Sequence, residues 1–269
     1  ALGGALSVWH NELNMPRTVK STDSMKGSYL GPAYNQQTIE EELSVCGAIF
    51  LTISEDEIIE KTSQALEDGK AIGWFQDRME FGPRALGGRS ILGDPRSEKM
   101  QKILNLKVKY RESFRPFAPS ILREDLTQWF DLNYDSPYML LVGKIKNCHR
   151  IDMTEVEKSL FGIDKLNIKR SSIPAVTHVD YSSRIQTVYK ETNPKYHKLI
   201  TSFKEKTGCP LVVNTSFNVR GEPIVCSPED AFKCFMSNDL ELLVIGNCIL
   251  KKEDQYHLIE SFKNKYDLV

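Results

Sequence analysis

No Cys-X-X-Cys pair occurs in this 269-residue sequence, and no apolar run approaches the ~20 residues that cross a bilayer. The longest apolar stretches, around Leu242 to Ile245 and from Tyr138 to Val142, are far too short, which excludes a membrane helix as the expected organisation. The six cysteines (46, 148, 209, 226, 234 and 248) have no spacing suited to zinc and read as reduced, cytoplasmic thiols. The five histidines (10, 149, 178, 197 and 257) form no ligand pattern either, so no protein-bound transition metal is expected. There is no internal repeat and no low-complexity tract. The opening Ala1-Leu2-Gly3-Gly4-Ala5-Leu6 lacks an initiator Met, a charged leader and a cleavage site, and reads as the continuation of a longer chain. Charge excess is missing too: the formal net charge is −1, so neither nucleic acid nor an anionic membrane is an expected partner.

What is present is a local concentration of positive charge. Between Arg78 and Arg123 eleven Lys and Arg face four acids, a net of +7 inside a neutral protein. With 41% hydrophobic residues the chain has material for one sizeable core.

Along the chain, 15–35 is rich in Pro, Gly, Ser and Thr and reads as a linker. Ser54 followed by three acids and an apolar-periodic run predicts a capped helix ending near Gly69, with a domain beginning about there. Ala71 to Phe75 predicts a buried strand running into a glycine-rich, cationic segment, and the periodicity of Met100, Ile103, Leu104 and Leu106 predicts a helix over 97–109. Cys209 to Val213 is a short apolar strand with polar residues crowded at its C-terminal end. Ser227-Pro228-Glu229-Asp230 is a helix start, and Leu240 to Gly246 another core strand. Alternating strands and helices predict an α/β architecture, in which ligands gather at the carboxyl ends of strands.

Four segments carry the chemistry. Asp77 to Ser90 is a strand exit with glycines that admit an anion to the backbone and arginines whose forks match phosphate oxygens, which makes Arg84 and Arg89 candidate phosphate contacts. Gly88 stands where a Walker A loop needs lysine, so a P-loop is disfavoured. A surface turn with its arginines paired to Glu80 and Asp94 is the alternative. In Lys109 to Pro119 an extended backbone would put Lys109 and Arg111 on one face with Tyr110 behind, and Arg115 adds a third cation. Two prolines and Phe114 and Phe117 argue against a merely solvated basic face. Ser216-Phe217-Asn218 repeats the alternation at a strand end, offering a hydroxyl and an amide while Phe217 turns to the core; a locally bonded turn is the alternative. Thr177, His178 and Arg184 complete the set, with Arg184 favoured over a lone histidine.

K-x-R at Lys109 and Arg111 with S-x-N at Ser216 and Asn218 resembles the signature of the YrdC-like fold. Together with R-M-E-F-G-P-R-A-L-G from Arg78, F-R-P-F-A-P from Phe114, S-R-I-Q-T-V from Ser183 and N-T-S-F-N from Asn214, it resembles the C-terminal domain of O-carbamoyltransferases of the NodU and TobZ type. The resemblance implies a twisted open mixed sheet flanked by helices over 51–250. It further implies a remnant of an upstream actin-like-fold domain with linker over 1–50; the residues from Lys251 themselves read as a polar tail helix over 251–269. It also implies formation of carbamoyl adenylate from carbamoyl phosphate and ATP, with Mg²⁺ bound to the phosphates, for transfer to a small-molecule hydroxyl through the upstream domain. Iron or another metal would belong only to that upstream domain. Lys109, Arg111, Arg115, Arg184, Ser216 and Asn218 map onto the family's phosphate and carbamoyl contacts, joined by Arg84, Arg89, Thr177 and His178. A threonylcarbamoyl-adenylate synthase of tRNA modification shares K-x-R and S-x-N but not the arginine-rich G-P-R-A-L-G segment. A phosphate-binding regulatory module without turnover is the other alternative.

Overall fold

The computed structural model describes residues 2–258 apart from 19, 21, 22 and 167. Its strands are β1 (Leu51–Thr52), β2 (Ile72–Phe75), β3 (Arg89–Gly93), β4 (Ala118–Leu122), β5 (Leu141–Lys144), β6 (Ser182–Val188), β7 (Leu211–Ser216), β8 (Leu242–Ile245) and β9 (Cys248–Lys251). They form one mixed sheet in the order β1-β9-β8-β2-β3-β7-β4-β6-β5. β2 lies parallel to β8 and antiparallel to β3, and β4 lies parallel to β6 and antiparallel to β7. The α/β expectation therefore takes the form of a nine-stranded mixed open sheet flanked by helices.

Local rules explain most of the scaffold. Ser54 caps the Glu55–Glu67 helix reciprocally: its hydroxyl accepts from the Glu57 N–H, and its own N–H donates to the Glu57 carboxylate. The helix buries Ile58, Ile59, Ala65 and Leu66, and the chain leaves it through Gly69 at a φ of +77°. Every residue of β2 is buried, as befits an apolar strand inside a covered sheet. The Pro194–Thr207 helix, which the sequence reading passes over, has its own punctuation: Asn193 accepts from the Tyr196 N–H at 3.0 Å, Pro194 opens the first turn, and Gly208 closes it at a φ of +74°. It packs on the 55–67 helix and against β4 and β7. The Pro228–Met236 helix, capped by Ser227, covers β2 and β8, and the Gln36–Val45 helix lies on it.

Two expected boundaries read differently in three dimensions. The core draws Ile39 and Leu43 from the 36–45 helix, so the packed body reaches back beyond Ser54. The predicted 97–109 helix is α-helical only over Met100–Ile103 and widens to a π-helical turn over Leu104–Val108. Residues 2–12 are helical with no buried side chain. Of the expected tail helix, Lys252–Gln255 forms a 3₁₀ turn, and 259–269 lie outside the described residues.

Candidate anion-binding site

The site is built where β3, β7, β4 and β6 lie side by side. The π-turn sets its first member. The Lys109 N–H reaches back five residues to the Leu104 carbonyl at 2.9 Å, and Tyr110 then takes a left-handed φ of +45°, uncommon for a bulky residue. The extended backbone expected here is absent; a tight turn, anchored by the Tyr110 hydroxyl on the Ser237 carbonyl at 3.0 Å, carries Lys109 inward instead. The Lys109 ammonium, only 6% exposed, donates to the carbonyls of Ser216 (2.5 Å) and Asn218 (2.9 Å) and to Asn218 Oδ1 (2.8 Å), with Ser216 Oγ at 3.3 Å. K-x-R and S-x-N thus meet directly. All four partners are neutral oxygens. Burial pushes the lysine down to about 7, and neighbouring Arg111 pushes the same way. Three acceptors matched to three N–H donors work in the opposite sense, favouring the ammonium.

Asn105, which no motif flags, organises the next turn. Fully buried, it donates to the carbonyls of Ser113 (3.1 Å) and Arg115 (2.8 Å) and accepts from Arg111 Nε at 2.6 Å. The Arg111 guanidinium also lies over the Phe117 ring at 4.9 Å. Arg115 pairs with Glu112 at 3.0 Å and is half exposed. At the end of β7, Ser216 Oγ donates to Asn218 Oδ1 at 2.7 Å while Phe217 is wholly buried, the alternation its position on a strand end predicts.

The glycine-rich loop forms the opposite wall. The buried Glu80 carboxylate accepts from the N–H groups of Leu86 and Gly88, both at 2.6 Å. Gly87 is obligatory: its φ is +104°, and a Cβ there would stand 2.3 Å from the Tyr196 ring. Arg84 leaves the loop exposed, and Arg184 leaves β6 partly buried; among the described residues neither guanidinium makes a hydrogen bond or ion pair within the chain.

Two adjoining cavities result. One, of about 240 Å³, is lined by Lys109, Arg111, Arg115, Ser216 and Asn218, with Glu112 the single carboxylate in its wall. The other, of about 180 Å³, is lined by Arg84, Arg111 and Arg184 with Asn214, and has no carboxylate in its wall. They share Arg111, Thr215 and Ser216. Burial lowers Arg184 and Arg111, and each is lowered further by a neighbouring arginine, Arg84 and Arg115 respectively. Like charges held this close, with one carboxylate among them, give both cavities a positively charged wall.

Three expected phosphate contacts lie elsewhere. Arg89 is completely buried under the loop, its guanidinium 3.5 Å over the Phe75 ring and donating to the carbonyls of Pro32, Gln76, Asp77 and Gly88 at 2.9 to 3.3 Å. It is a structural cation, because β3 turns it away from the cavities. Thr177 spends its hydroxyl on the Ile173 carbonyl (2.7 Å) and Ser171 Oγ (2.6 Å). His178 lines with it a separate cavity of about 470 Å³ that meets the arginine-lined one at Pro116. Burial holds His178 below the usual imidazole value, and the Arg184 charge adds to the effect.

Comparison with known proteins matches residues 63–252 to the carbamoyltransferase C-terminus. A protein of Synechocystis, sll1178, is 53% identical over 95% of this chain and 42% of its own length. Nodulation protein NolO of Bradyrhizobium diazoefficiens is 38% identical over 94% of this chain and 42% of its own. The 3'-hydroxymethylcephem-O-carbamoyltransferase of Streptomyces clavuligerus is 33% identical over 69% of this chain and 31% of its own. The chain therefore spans about two fifths, or less, of these relatives. Among solved structures, full-length HypF in a phosphate- and nucleotide-bound form superposes with a TM-score of 0.45 at 16% identity, covering 73% of this chain and 22% of that one, too loosely to carry an argument.

Proposed function

Because the chain belongs to the carbamoyltransferases through their C-terminal domain, we propose that it forms carbamoyl adenylate from carbamoyl phosphate and ATP, for later transfer to a hydroxyl of a small molecule by the longer protein. The observation that carries this reading is the direct meeting of Lys109 with Ser216 and Asn218 beside Arg111, in a wall nearly free of carboxylates.

In the proposed reaction water first hydrolyses carbamoyl phosphate, breaking the carbamoyl-to-phosphate linkage to give carbamate, inorganic phosphate and a proton released to solvent. A carbamate oxygen then attacks the α-phosphorus of ATP; the new O–P bond forms as the bond to the β-phosphate oxygen breaks, and pyrophosphate leaves. Two anions must approach to ~3.5 Å, and at an effective dielectric near 20 their repulsion is ~5 kcal/mol. That exceeds most single side-chain effects, so cations have to be fixed beforehand. Arg84, Arg111 and Arg184 would hold one anion, and Lys109, Arg111 and Arg115 the other. Ser216 and Asn218 supply polar contacts without adding charge. No side chain need be a covalent nucleophile; positioning and electrostatic stabilisation carry the step.

Mg²⁺ enters this scheme with the nucleotide phosphates, as part of the substrate. Among the described residues no three His, Cys, Asp or Glu side chains gather as a metal site, and the only carboxylate lining these two cavities, Glu112, is paired with Arg115.

The test is pyrophosphate release from ATP on addition of carbamoyl phosphate, alongside calorimetric binding of each. Release that depends on carbamoyl phosphate is the expected result. Binding of both compounds without release would favour a regulatory module, and a requirement for threonine would favour a tRNA-modification enzyme.

A further inference from the structure

Arg84 faces a physical difficulty. It stands at the tip of a loop with two positive-φ glycines, Gly82 and Gly87, and it faces Arg184 and Arg111 across the smaller cavity. A flexible loop bearing a cation opposite two others would swing it into solvent unless something held the backbone on either side. Glu80 accepts from the Leu86 and Gly88 N–H groups, and on the carbonyl side the loop is bonded by two buried amides on neighbouring strands, Gln186 on β6 and Asn214 on β7, with Ser120 on β4 bonded to Gln186 behind them.

Gln186 Nε2 donates to the Leu86 carbonyl at 2.8 Å, and Asn214 Nδ2 donates to the Ala85 carbonyl at 3.0 Å. These are the two residues that follow Arg84. A main-chain carbonyl only accepts, so it fixes which end of each amide is nitrogen and removes the usual ambiguity of orientation. Gln186 Oε1 therefore faces the rest of the network, accepting from Ser120 Oγ at 2.5 Å and from Asn214 Nδ2 at 2.8 Å. From outside, the Tyr29 hydroxyl donates to the same Leu86 carbonyl at 2.6 Å. Asn214 Oδ1 is buried without a partner. A site selected for stability alone would place an apolar side chain there, since an unmatched buried acceptor carries a desolvation cost that a methyl group does not. What the asparagine provides is the bond to the loop.

We propose that Gln186 and Asn214 are positioning residues that clamp the Ala85 and Leu86 carbonyls and so hold Arg84 over the cavity against Arg184 and Arg111. The inference rests on the anion-binding reading of that cavity. Neither amide is a catalytic residue; both act through Arg84.

A double-mutant cycle tests this, with binding of inorganic pyrophosphate to the 269-residue chain as the readout. Thermal unfolding first establishes that each variant is folded. Gln186→Leu and Arg84→Ala are each expected to weaken pyrophosphate binding about fivefold or more, while the double variant binds no worse than Arg84→Ala by more than about twofold. Losses that multiply would overturn the proposal, because a merely structural defect is indifferent to Arg84. Wild-type affinity in Gln186→Leu, or no pyrophosphate binding by the wild type, would overturn it too. If Gln186→Leu does not fold, Tyr29→Phe takes its place, removing one hydroxyl from the Leu86 carbonyl. A loss of about twofold that disappears in the Arg84→Ala background is expected; no loss, or a loss undiminished in that background, counts against the clamp. Binding of pyrophosphate by a protein that releases none from ATP and carbamoyl phosphate would sink the adenylation reading and leave the clamp standing.

Discussion

The Lys109 ammonium donates to Asn218 Oδ1 at 2.8 Å, joining positions 109 residues apart in the chain. The contact puts a cation, a hydroxyl and an amide in one wall, and it makes Lys109 both a strut for the 216–218 turn and a candidate ligand contact.

Lys109→Met keeps the length of the stem and removes the charge. Pyrophosphate affinity at pH 7 should fall by ~1 to 3 kcal/mol, the attraction of two unit charges roughly 5 to 15 Å apart at an effective dielectric near 20, since the three N–H donors of Lys109 are already spent on the 216–218 turn. Titration calorimetry reads the change directly.

The same lysine should make stability and affinity depend on pH. In the folded protein it is held to about 7, against an ordinary value of 10.5. Below the lower value both states are protonated, and the cost of burying the ammonium is full. Between the two values the unfolded chain binds more protons than the folded one, so the Lys109 contribution to stability rises with pH across that window, by at most ~1.4 kcal/mol per pH unit. Urea unfolding of wild type against Lys109→Met, at pH 7 and pH 9, should show the wild type gaining relative to the variant. Anion affinity should move the other way, weakening above pH 7, because a bound anion favours the ammonium.

Arg184→Ala should lower carbamoyl phosphate-dependent pyrophosphate release by ~2 to 4 kcal/mol of transition-state stabilisation. Arg115→Ala should fall at the lower end of that range and lose part of its effect in salt, because Arg115 is half exposed and already paired with Glu112. Steady-state rates at two ionic strengths separate the two arginines.

Arg89→Lys should damage the fold rather than the site. An ammonium cannot span the carbonyls of Pro32, Gln76, Asp77 and Gly88 that the guanidinium bridges. Leaving buried carbonyls unmatched should cost ~2 kcal/mol or more in urea unfolding, with pyrophosphate affinity of the folded variant little changed.

Much of this molecule is written locally. The capping boxes at Ser54 and Ser227, the apolar run of β2 and the alternation at Ser216-Phe217-Asn218 depend on residues a few positions apart, and each has the form that periodicity and capping chemistry predict. The chemical types of Lys109, Arg111, Ser216 and Asn218 were likewise legible, because a cation or an amide declares what it binds wherever it sits. Asn105, Gln186 and Asn214 were not legible as supports, since an isolated amide carries no mark of the distant carbonyl it will meet. Nor could Arg84 be told from Arg89, five positions on in the same glycine-rich segment. Only the order of β3, β7, β4 and β6, and the long-range backbone oxygens that order brings near, turns Arg84 toward the arginine-lined cavity and seals Arg89 against Phe75. Sequence determines what each group is able to bond; tertiary structure decides which partners come within the three or so ångströms over which a hydrogen bond acts.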